Sequence, residues 1–278
     1  MRSVFAALVR RPLALASMVV LAILVIAPFV IPLWAGGPNE MDPAQRLLPP
    51  SNGNPFGTDN FGRDILSRVA SGAKVSLVIG GSVAVIAVIL GTVSGLLTGY
   101  YRAVDQTLSR FLDGLMAFPS FLLAIALVAA LGPSVRNEVL ALSIAYWPRI
   151  TRVVRASTLQ LRESQYVEAA LAVGTTGPGI LVRHILPNAL APLIIAGTFV
   201  FAEAILLDAS LSFLGLGVAP PAPTWGNMLA ESRTYLTIAP WFSFFPGIAI
   251  VAAVLALNVF GDALRDQLDP HSVRGSLA

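Results

Sequence analysis

The stretch EAALAVGTTGPGILVRHILP, residues 168–187, decides how the rest of the chain is interpreted. It is a moderately polar island between long apolar runs, and it carries strong turn signals. Residues 164–173 are predicted to form a short helix, and Gly174 follows at the position where helices often end in a left-handed backbone conformation. Pro178 suits the first turn of a second helix, because its missing N–H is not needed there. Pro187 is predicted to end that second helix.

Two short helices joined by a rigid corner suit docking better than catalysis. The stretch contains one Glu, one Arg and one His, namely Glu168, Arg183 and His184, and these are too few for a plausible active site. We therefore expect the stretch to bind another protein at the edge of a membrane.

The composition indicates an integral membrane protein made of helices. Of the 278 residues, 56% are hydrophobic and only 12% are charged, whereas a soluble domain carries about 25% charged residues. Several apolar runs approach or exceed the roughly 20 residues that span a bilayer as a helix, and a helix satisfies its own backbone in lipid. The net charge is only +3 and the basic residues are scattered at predicted helix ends, which argues against nucleic-acid binding. The absence of Cys excludes disulfides and a thiol nucleophile.

Six membrane spans are predicted, at residues 13–34, 75–99, 111–131, 138–147, 190–207 and 241–260. The first is longer than the roughly 7–15 apolar residues of a signal peptide, so we expect it to be retained in the mature protein. The third contains Pro119, which is able to kink it. The fourth is short and ends before Pro148, so we expect it to lie inside the bundle and to continue into the cytoplasm as residues 150–161.

The second span has a face of small residues, because Gly91, Gly95 and Gly99 recur every four residues. Such a face lets another helix approach closely in a membrane. That helix belongs either to this subunit or to a partner subunit, and the sequence leaves both alternatives open.

The segments between the spans are assigned from turn signals. Residues 35–73 are predicted to form an extracytoplasmic segment with little regular structure, apart from a short surface helix at 65–70. Residues 101–110 are predicted to be a short cytoplasmic loop. Residues 215–235 are predicted to be an outer loop.

Positive charges place both termini in the cytoplasm. With six spans, the inner segments hold twelve Arg and the outer segments hold six basic residues, which is the asymmetry expected of cytoplasmic loops. Arg149, Arg152 and Arg155 recur at intervals of three along the inner extension of the fourth span, and they are predicted to anchor it near anionic headgroups. Contact with a substrate is the alternative for these three residues.

The sequence contains no motif for nucleotide binding or metal binding. A P-loop requires Gly-Lys followed by Ser or Thr, whereas the single lysine, Lys74, stands between Ala and Val. The two histidines, His184 and His271, are far apart and lack neighbouring metal ligands, so no metal site is predicted.

Two groups of carboxylates were considered for function. Glu203 and Asp208 lie in the apolar fifth span, where a carboxylate normally faces the bundle interior or a water-filled cavity, so both are candidates for a translocation pathway. For Glu203 a structural hydrogen bond is an equal alternative, and for Asp208 the structural role is favoured. Asp59, Arg63 and Asp64 are interpreted as a salt-bridged loop, because no base–nucleophile pair accompanies them.

The spacing Glu168-Ala169-Ala170, three residues, Gly174, and then Leu186-Pro187 resembles the EAA loop of membrane subunits of binding-protein-dependent ABC importers. His184 stands where that family has Ile, although the spacing is intact. Three further segments resemble the C-type subunit of the peptide and nickel branch of this family. They are GTDNFGRD at 57–64, ASLSFLGLG at 209–217 and GDALRDQLDP at 261–270.

The resemblance implies an all-α type I ABC importer permease with six transmembrane helices in the bacterial plasma (inner) membrane. It implies a heterodimer with a homologous permease subunit, two ATPase subunits that bind ATP and Mg, and an extracytoplasmic solute-binding protein. This chain would then be non-catalytic and would bind no cofactor. The residues that match the ATPase-coupling element are Glu168, Ala169, Ala170, Gly174, Pro178, Arg183, His184, Leu186 and Pro187.

The expected organisation has three parts. Residues 1–74 hold the first span and the outer segment, residues 75–261 form a five-helix core with the coupling loop at 164–188, and residues 262–278 form a cytoplasmic tail. The resemblance implies import of dipeptides or oligopeptides, with nickel chelates and glutathione as alternatives. An ATP-independent secondary transporter and an intramembrane enzyme are the alternatives from other classes.

Overall fold

The computed structural model describes residues 11–218 and 221–268, and the regular structure of this part of the chain is helical. The predicted tail beyond residue 268 and His271 therefore lie outside the described residues. The helices are α1 (Pro12–Val30), α2 (Ile65–Tyr100), α3 (Arg102–Met116), α4 (Ser120–Leu131), α5 (Val135–Arg162), α6 (Gln165–Ala172), α7 (Gly177–Ile180), α8 (Leu186–Phe213), α9 (Trp225–Ser232) and α10 (Trp241–Leu268). Short 3₁₀ turns occur at Ile31–Leu33, Pro43–Gln45 and Arg233–Tyr235, and a π turn at Leu181–Ile185 joins α7 to α8.

Four stretches of the described chain are long and apolar enough to cross a membrane, at Pro12–Leu33, Ile65–Tyr100, Gly177–Phe213 and Trp241–Leu268. A fifth is added if α3 and α4, which are bent by 88°, count as one span. The predicted fourth span is absent from this set because α5 carries several charged residues. The protein is thus a multi-pass helical membrane protein, while the count of six spans stays a prediction.

Helix α5 is one continuous helix that lies inside the bundle, as predicted for the fourth span. Pro148 falls within Val135–Arg162 without ending it. The Ser134 hydroxyl caps its start by accepting a bond from the N–H of Asn137 at 3.1 Å. Leu142 and Ile150 are fully buried, one on each side of that proline. Burial against other helices explains how a helix with this many charges is accommodated.

The glycine face of α2 packs against α5 of the same chain. A Cβ atom added at Gly91 would come within 2.4 Å of Ile150, and one added at Gly95 would lie 2.6 Å from the Val154 Cβ. At Gly99 the corresponding distance to the Thr158 Cβ is 2.5 Å. This face is therefore covered within the subunit, which decides between the two alternatives left open by the sequence.

The start of α2 differs from the prediction. Residues 65–70 were predicted to be a separate surface helix, but they are the first turns of the 36-residue helix α2. No strong helix breaker separates residue 70 from residue 75, and a single glycine, Gly72, does not stop a helix whose start is buried. The Asp64 carboxylate caps this helix by accepting a bond from the N–H of Ser67 at 2.7 Å. Burial raises the pKa of Asp64 above its ordinary value.

The predicted loop at 101–110 and the predicted third span at 111–131 are also wrong in their bounds. The 15 residues after Tyr101 form the amphipathic helix α3, which ends at Met116. Helix α4 starts only at Ser120, after Pro119, which has no N–H and restricts the residue before it. Pro119 thus separates two helices at 88° instead of kinking one.

The segment before α2 is held by a buried network of ion pairs. Arg63 bonds Asp59 at 2.6 Å and Glu231 of α9 at 2.8 Å, and Arg68 of α2 also pairs with both carboxylates. This confirms the structural interpretation of Asp59 and Arg63. Asp64 does not join the network, because its carboxylate caps α2.

Candidate functional site

Helix α6 ends in a tight corner, as predicted from Gly174. This glycine has a φ of +84°, and no atom lies within 4 Å of the position a Cβ would take, so backbone conformation alone favours glycine there. The N–H of Gly174 donates to the carbonyl of Leu171 at 2.9 Å, and the N–H of Thr175 donates to the carbonyl of Ala170 at 3.0 Å. These paired bonds close the helix end and fix the direction in which the chain leaves it.

The second arm of the corner is not the short helix that was predicted. Pro178 lies in the first turn of α7, as expected, but Pro187 lies in the first turn of α8 and the helix continues through it. The π turn makes this possible, since the N–H of Leu186 bonds the carbonyl of Leu181 across the wider turn. Residues Gly177–Phe213 therefore form one continuous rod of 37 residues.

The corner is fastened to the core and to itself. Val167 on α6 and Ile180, Leu181 and Ile185 on the second arm are buried in the main hydrophobic cluster. Asn188 bridges the two arms, because its amide donates to the His184 carbonyl at 2.7 Å and to the Tyr166 hydroxyl at 3.3 Å. Neither arm is able to rotate without breaking these contacts.

Apolar side chains point outward at the tip of the corner. Val173 is 84% exposed, and Leu171 and Val182 are also exposed. We call these three residues the corner surface. A concavity of about 520 Å³ lies beside it, and it is lined by Val173, Gly174, Thr175, Thr176, Pro178, Gly179, Val182 and Arg183. The combination of a rigid base and an exposed apolar tip is suited to seating in another protein.

The residues predicted for coupling fall into two groups. Most are exposed at the corner, namely Glu168, Ala169, Gly174, Pro178, Arg183 and Pro187. Ala170 is buried and His184 and Leu186 are half-buried, so these three hold the element in place. The roles of all nine residues in coupling stay predictions.

Three arginines of α5 pair with carboxylates of neighbouring helices. The Nη1 atom of Arg149 lies 2.6 Å from Oε1 of Glu203, Arg152 lies 2.8 Å from Asp113, and Arg155 makes two bonds to Asp105 at 2.7 and 2.8 Å. Each of these residues has a carboxylate partner within the chain, which the sequence analysis did not predict, and their role as anchors at headgroups stays a prediction. The partners are 39 to 54 residues away in sequence, so local spacing gave no signal for them.

The two carboxylates predicted for the pathway lie in different environments. Glu203 pairs with Arg149, and both side chains remain accessible, at 39% and 51%. Asp208 is fully buried and faces Glu138, Ser76 and Ser212. The structural preference for Asp208 is therefore supported, and the role of Glu203 in a pathway stays a prediction. Glu138 was missed because its position in the first turn of α5 gave no reason to expect a second acidic residue beside it.

Comparison with known proteins agrees with this architecture. Residues 87–274 match the family described as binding-protein-dependent transport system inner membrane component. The chain is 50% identical over 95% of its length to a Brucella suis protein provisionally named a peptide transport system permease protein, covering 90% of that protein. It is 45% identical over 97% of its length to the dipeptide transport system permease protein of Alkalihalophilus pseudofirmus, covering 89% of it. It is 44% identical over 80% of its length to the glutathione transport system permease protein of Pectobacterium atrosepticum, covering 74% of it.

The matched region contains the corner, α5 and α8, and the relatives extend over most of the remaining chain. The chain belongs to the family of binding-protein-dependent transport system inner membrane components.

Proposed function

We propose that the chain is the permease subunit of an ATP-driven importer of dipeptides or oligopeptides. The names of the relatives from Brucella suis and Alkalihalophilus pseudofirmus support a peptide substrate. Glutathione is the second candidate, because the glutathione permease is only slightly less similar in identity. No nickel-transport protein stands among the relatives described above, so a nickel chelate has no comparable support.

The observation that carries the proposal is the corner between α6 and α7. It combines an apolar exposed tip with a base that is packed in the core, which is the construction expected of an element that receives force from another protein. We propose that it seats in an ATPase subunit and that the two ATPase subunits bind ATP and Mg. A homologous permease subunit would complete the pathway and a solute-binding protein would deliver the substrate. This arrangement places both termini in the cytoplasm and leaves this chain non-catalytic and free of cofactors.

The rod from Gly177 to Phe213 gives the corner a direct connection to the bundle interior. Its 37 residues correspond to about 55 Å at 1.5 Å per residue. Because helix and corner are continuous, a displacement of the corner moves Glu203 as part of the same body. ATP-driven motion of the ATPases would thus be passed to the pathway without an intermediate loop.

We propose that Arg149 and Glu203 line the pathway. The pair offers a cation and an anion side by side, and both groups are accessible within this subunit. A zwitterionic peptide carries the complementary charges at its two ends, so it is able to exchange partners with the pair while the net charge of the site is unchanged. A single buried charge would not offer this exchange.

The proposed function is tested by uptake into proteoliposomes that contain the complete complex and its binding protein. Labelled dipeptide should accumulate with ATP, and unlabelled di- and oligopeptides should compete better than glutathione or a nickel chelate. Competition by glutathione alone would reassign the substrate. Uptake without any co-purifying ATPase would instead support a secondary transporter.

A further inference from the structure

The end of the bundle where α5 begins and α8 finishes contains two acidic side chains with no solvent contact. Glu138 and Asp208 are both 0% exposed, and they face each other across the α5–α8 interface. Two hydroxyl groups point at the same place, from Ser76 on α2 and Ser212 on α8. Both serines are buried, and neither their hydroxyls nor the four carboxyl oxygens have a hydrogen-bond partner among the described residues.

No positive side chain balances this pair in the part of the chain that the structure describes. Arg136, two residues before Glu138 on α5, is exposed to solvent. Other charged groups on the adjoining helices are engaged elsewhere, since Lys74 lies over the ring of Phe29, Glu231 pairs with Arg63 and Arg68, and Glu203 pairs with Arg149. Asp208 is the charged group that faces Glu138. Two ionised carboxylates would therefore repel each other in an apolar interior without compensation.

The site is also sealed by backbone that passes directly over it. A Cβ at Gly217 would lie 1.9 Å from the Ser212 hydroxyl, and one at Gly226 would lie 2.6 Å from the Ser212 Cβ. The amide of Asn227 donates to the carbonyl of Val218 at 2.6 Å and holds this covering segment in place. This segment covers Ser212, and both carboxyl groups are shielded from bulk solvent.

We propose that Glu138 and Asp208 form a proton-binding site in which one proton is shared between the two carboxyl groups. Glu138 carries the proton and donates it to a carboxylate oxygen of Asp208, which also accepts bonds from the hydroxyls of Ser76 and Ser212. One negative charge then remains on the pair, and the positive end of α5, at whose first turn Glu138 stands, stabilises it. When the proton leaves, it passes to water and two adjacent anions remain.

A metal ion explains the same residues less well. No group of three or more His, Asp or Glu side chains suited to a metal ion occurs among the described residues. Two carboxylates and two hydroxyls would leave a hard cation short of the six or more oxygens that calcium takes, unless both carboxylates bind through both oxygens. A shared proton needs only two adjacent carboxyl groups, which the interface between α5 and α8 supplies.

The proton fastens three helices together. Ser76 belongs to α2, Glu138 to α5, and Asp208 and Ser212 to α8, so the shared bond closes the interface between all three. Loss of the proton would push α5 and α8 apart. The unfolded chain releases this proton at neutral pH, so the folded state binds more protons and stability should fall as pH rises.

Infrared spectroscopy of the complete purified complex tests the proposal. The wild type should show a protonated-carboxyl C=O band that Glu138→Gln removes, because the amide then donates to Asp208 in place of the shared proton. Asp208→Asn is a second variant of the same shape and should shift the band without removing it, because Glu138 keeps its proton but loses the carboxylate that accepts its hydrogen bond. Glu203→Gln is the matched control and should retain it, since that carboxylate pairs with Arg149.

Thermal unfolding gives an independent measurement. The unfolding midpoint of the wild type and of Glu203→Gln should fall between neutral and alkaline pH, whereas that of Glu138→Gln should change less. An unchanged carboxyl band in both Glu138→Gln and Asp208→Asn would overturn the proposal. It would also be overturned if sodium or calcium at constant pH raised the midpoint of the wild type but not of Glu138→Gln, because the pair would then hold a metal ion.

Discussion

The two ends of the rod from Gly177 to Phe213 depart from ordinary burial in opposite ways. At the corner, apolar side chains such as Val173 are exposed, whereas near the other end polar side chains such as Asp208 are buried. Both departures cost free energy in an isolated chain, because exposed apolar surface orders water and buried polar groups lose hydration. The difference teaches that each end requires something the isolated chain does not contain. We propose that the corner requires a protein partner and that the carboxyl groups at Asp208 require a proton.

The largest effect is expected from a substitution in the corner itself. Gly174→Val should reduce coupled uptake by up to about 100-fold while the ATPases still hydrolyse ATP, because a β-branched residue resists a φ of +84° and redirects the second arm. The measurement is uptake per ATP hydrolysed in proteoliposomes.

A matched control for this variant lies in the turn between α4 and α5. Gly132 has a φ of +86° and equally open surroundings, so Gly132→Val introduces similar strain, about 1–3 kcal/mol, away from the corner. Equal uncoupling by both variants would show that strain in general, and not the shape of the corner, is responsible.

A charge at the corner surface should weaken assembly. Val173→Asp should raise the dissociation constant for the ATPase by about 10- to 100-fold, or about 1.4–2.8 kcal/mol, because a carboxylate would lose its hydration in the contact. Binding is measured with the purified complex after detergent extraction. Ile238→Asp, at an exposed position between α9 and α10, is the control and should leave ATPase affinity unchanged. If both variants bind alike, the corner surface is not the contact.

Removal of the pathway carboxylate should have a smaller effect on transport. Glu203→Gln should lower the rate of peptide uptake by about tenfold while assembly is retained, because the peptide amino group loses its counter-charge. Asp113→Asn is the control, since it removes the exposed carboxylate that pairs with Arg152 and leaves the pair of Arg149 and Glu203 intact. Equal uptake by Glu203→Gln and the wild type would exclude the pathway role.

The smallest effect is expected at the contact between α2 and α5 in the middle of the bundle, because this contact is complete within the chain. Gly91→Ala should destabilise the subunit by about 1–3 kcal/mol, because its methyl group would meet Ile150. Gly81→Ala, whose Cβ would be 3.6 Å from the nearest atom, should be close to neutral. The comparison is made by thermal unfolding. Because alanine favours a helix over glycine at both positions, a similar loss in both would mean that the contact with Ile150 is not its cause.

Local signals in the sequence predicted the corner well. Backbone conformation alone predicts that Gly174 ends one helix and that Pro178 lies in the first turn of the next. The structure shows both residues at these places. The prediction for Pro187 was wrong because proline normally ends a helix. The π turn that lets the helix continue through this proline has no recognisable sequence pattern. The apolar runs gave α1, α2, α8 and α10, although the bounds of α2 were missed by several residues.

Long-range pairing is where the sequence gave no guidance. The partners of Arg149 and Arg155 lie on α8 and α3, and the spacing of the arginines along α5 carries no information about them. Helix α3 was divided in the prediction between a loop at 101–110 and the start of the third span, so Asp105 was not assigned to a helix. Glu138 and Asp208 meet only because α5 and α8 pack together.

The contact of α2 and α5 through Gly91, Gly95 and Gly99 limits how the subunit is able to deform. Because the two backbones are this close, the helices have no room to slide past each other and must move together as one rigid unit. Any hinge must therefore fall outside them, and the break at Tyr101, the turn between α4 and α5 and the turn between α5 and α6 are the nearest interruptions of helix. A transport cycle built on this subunit would swing a stiff pair of helices about these flexible joints instead of bending the pair itself.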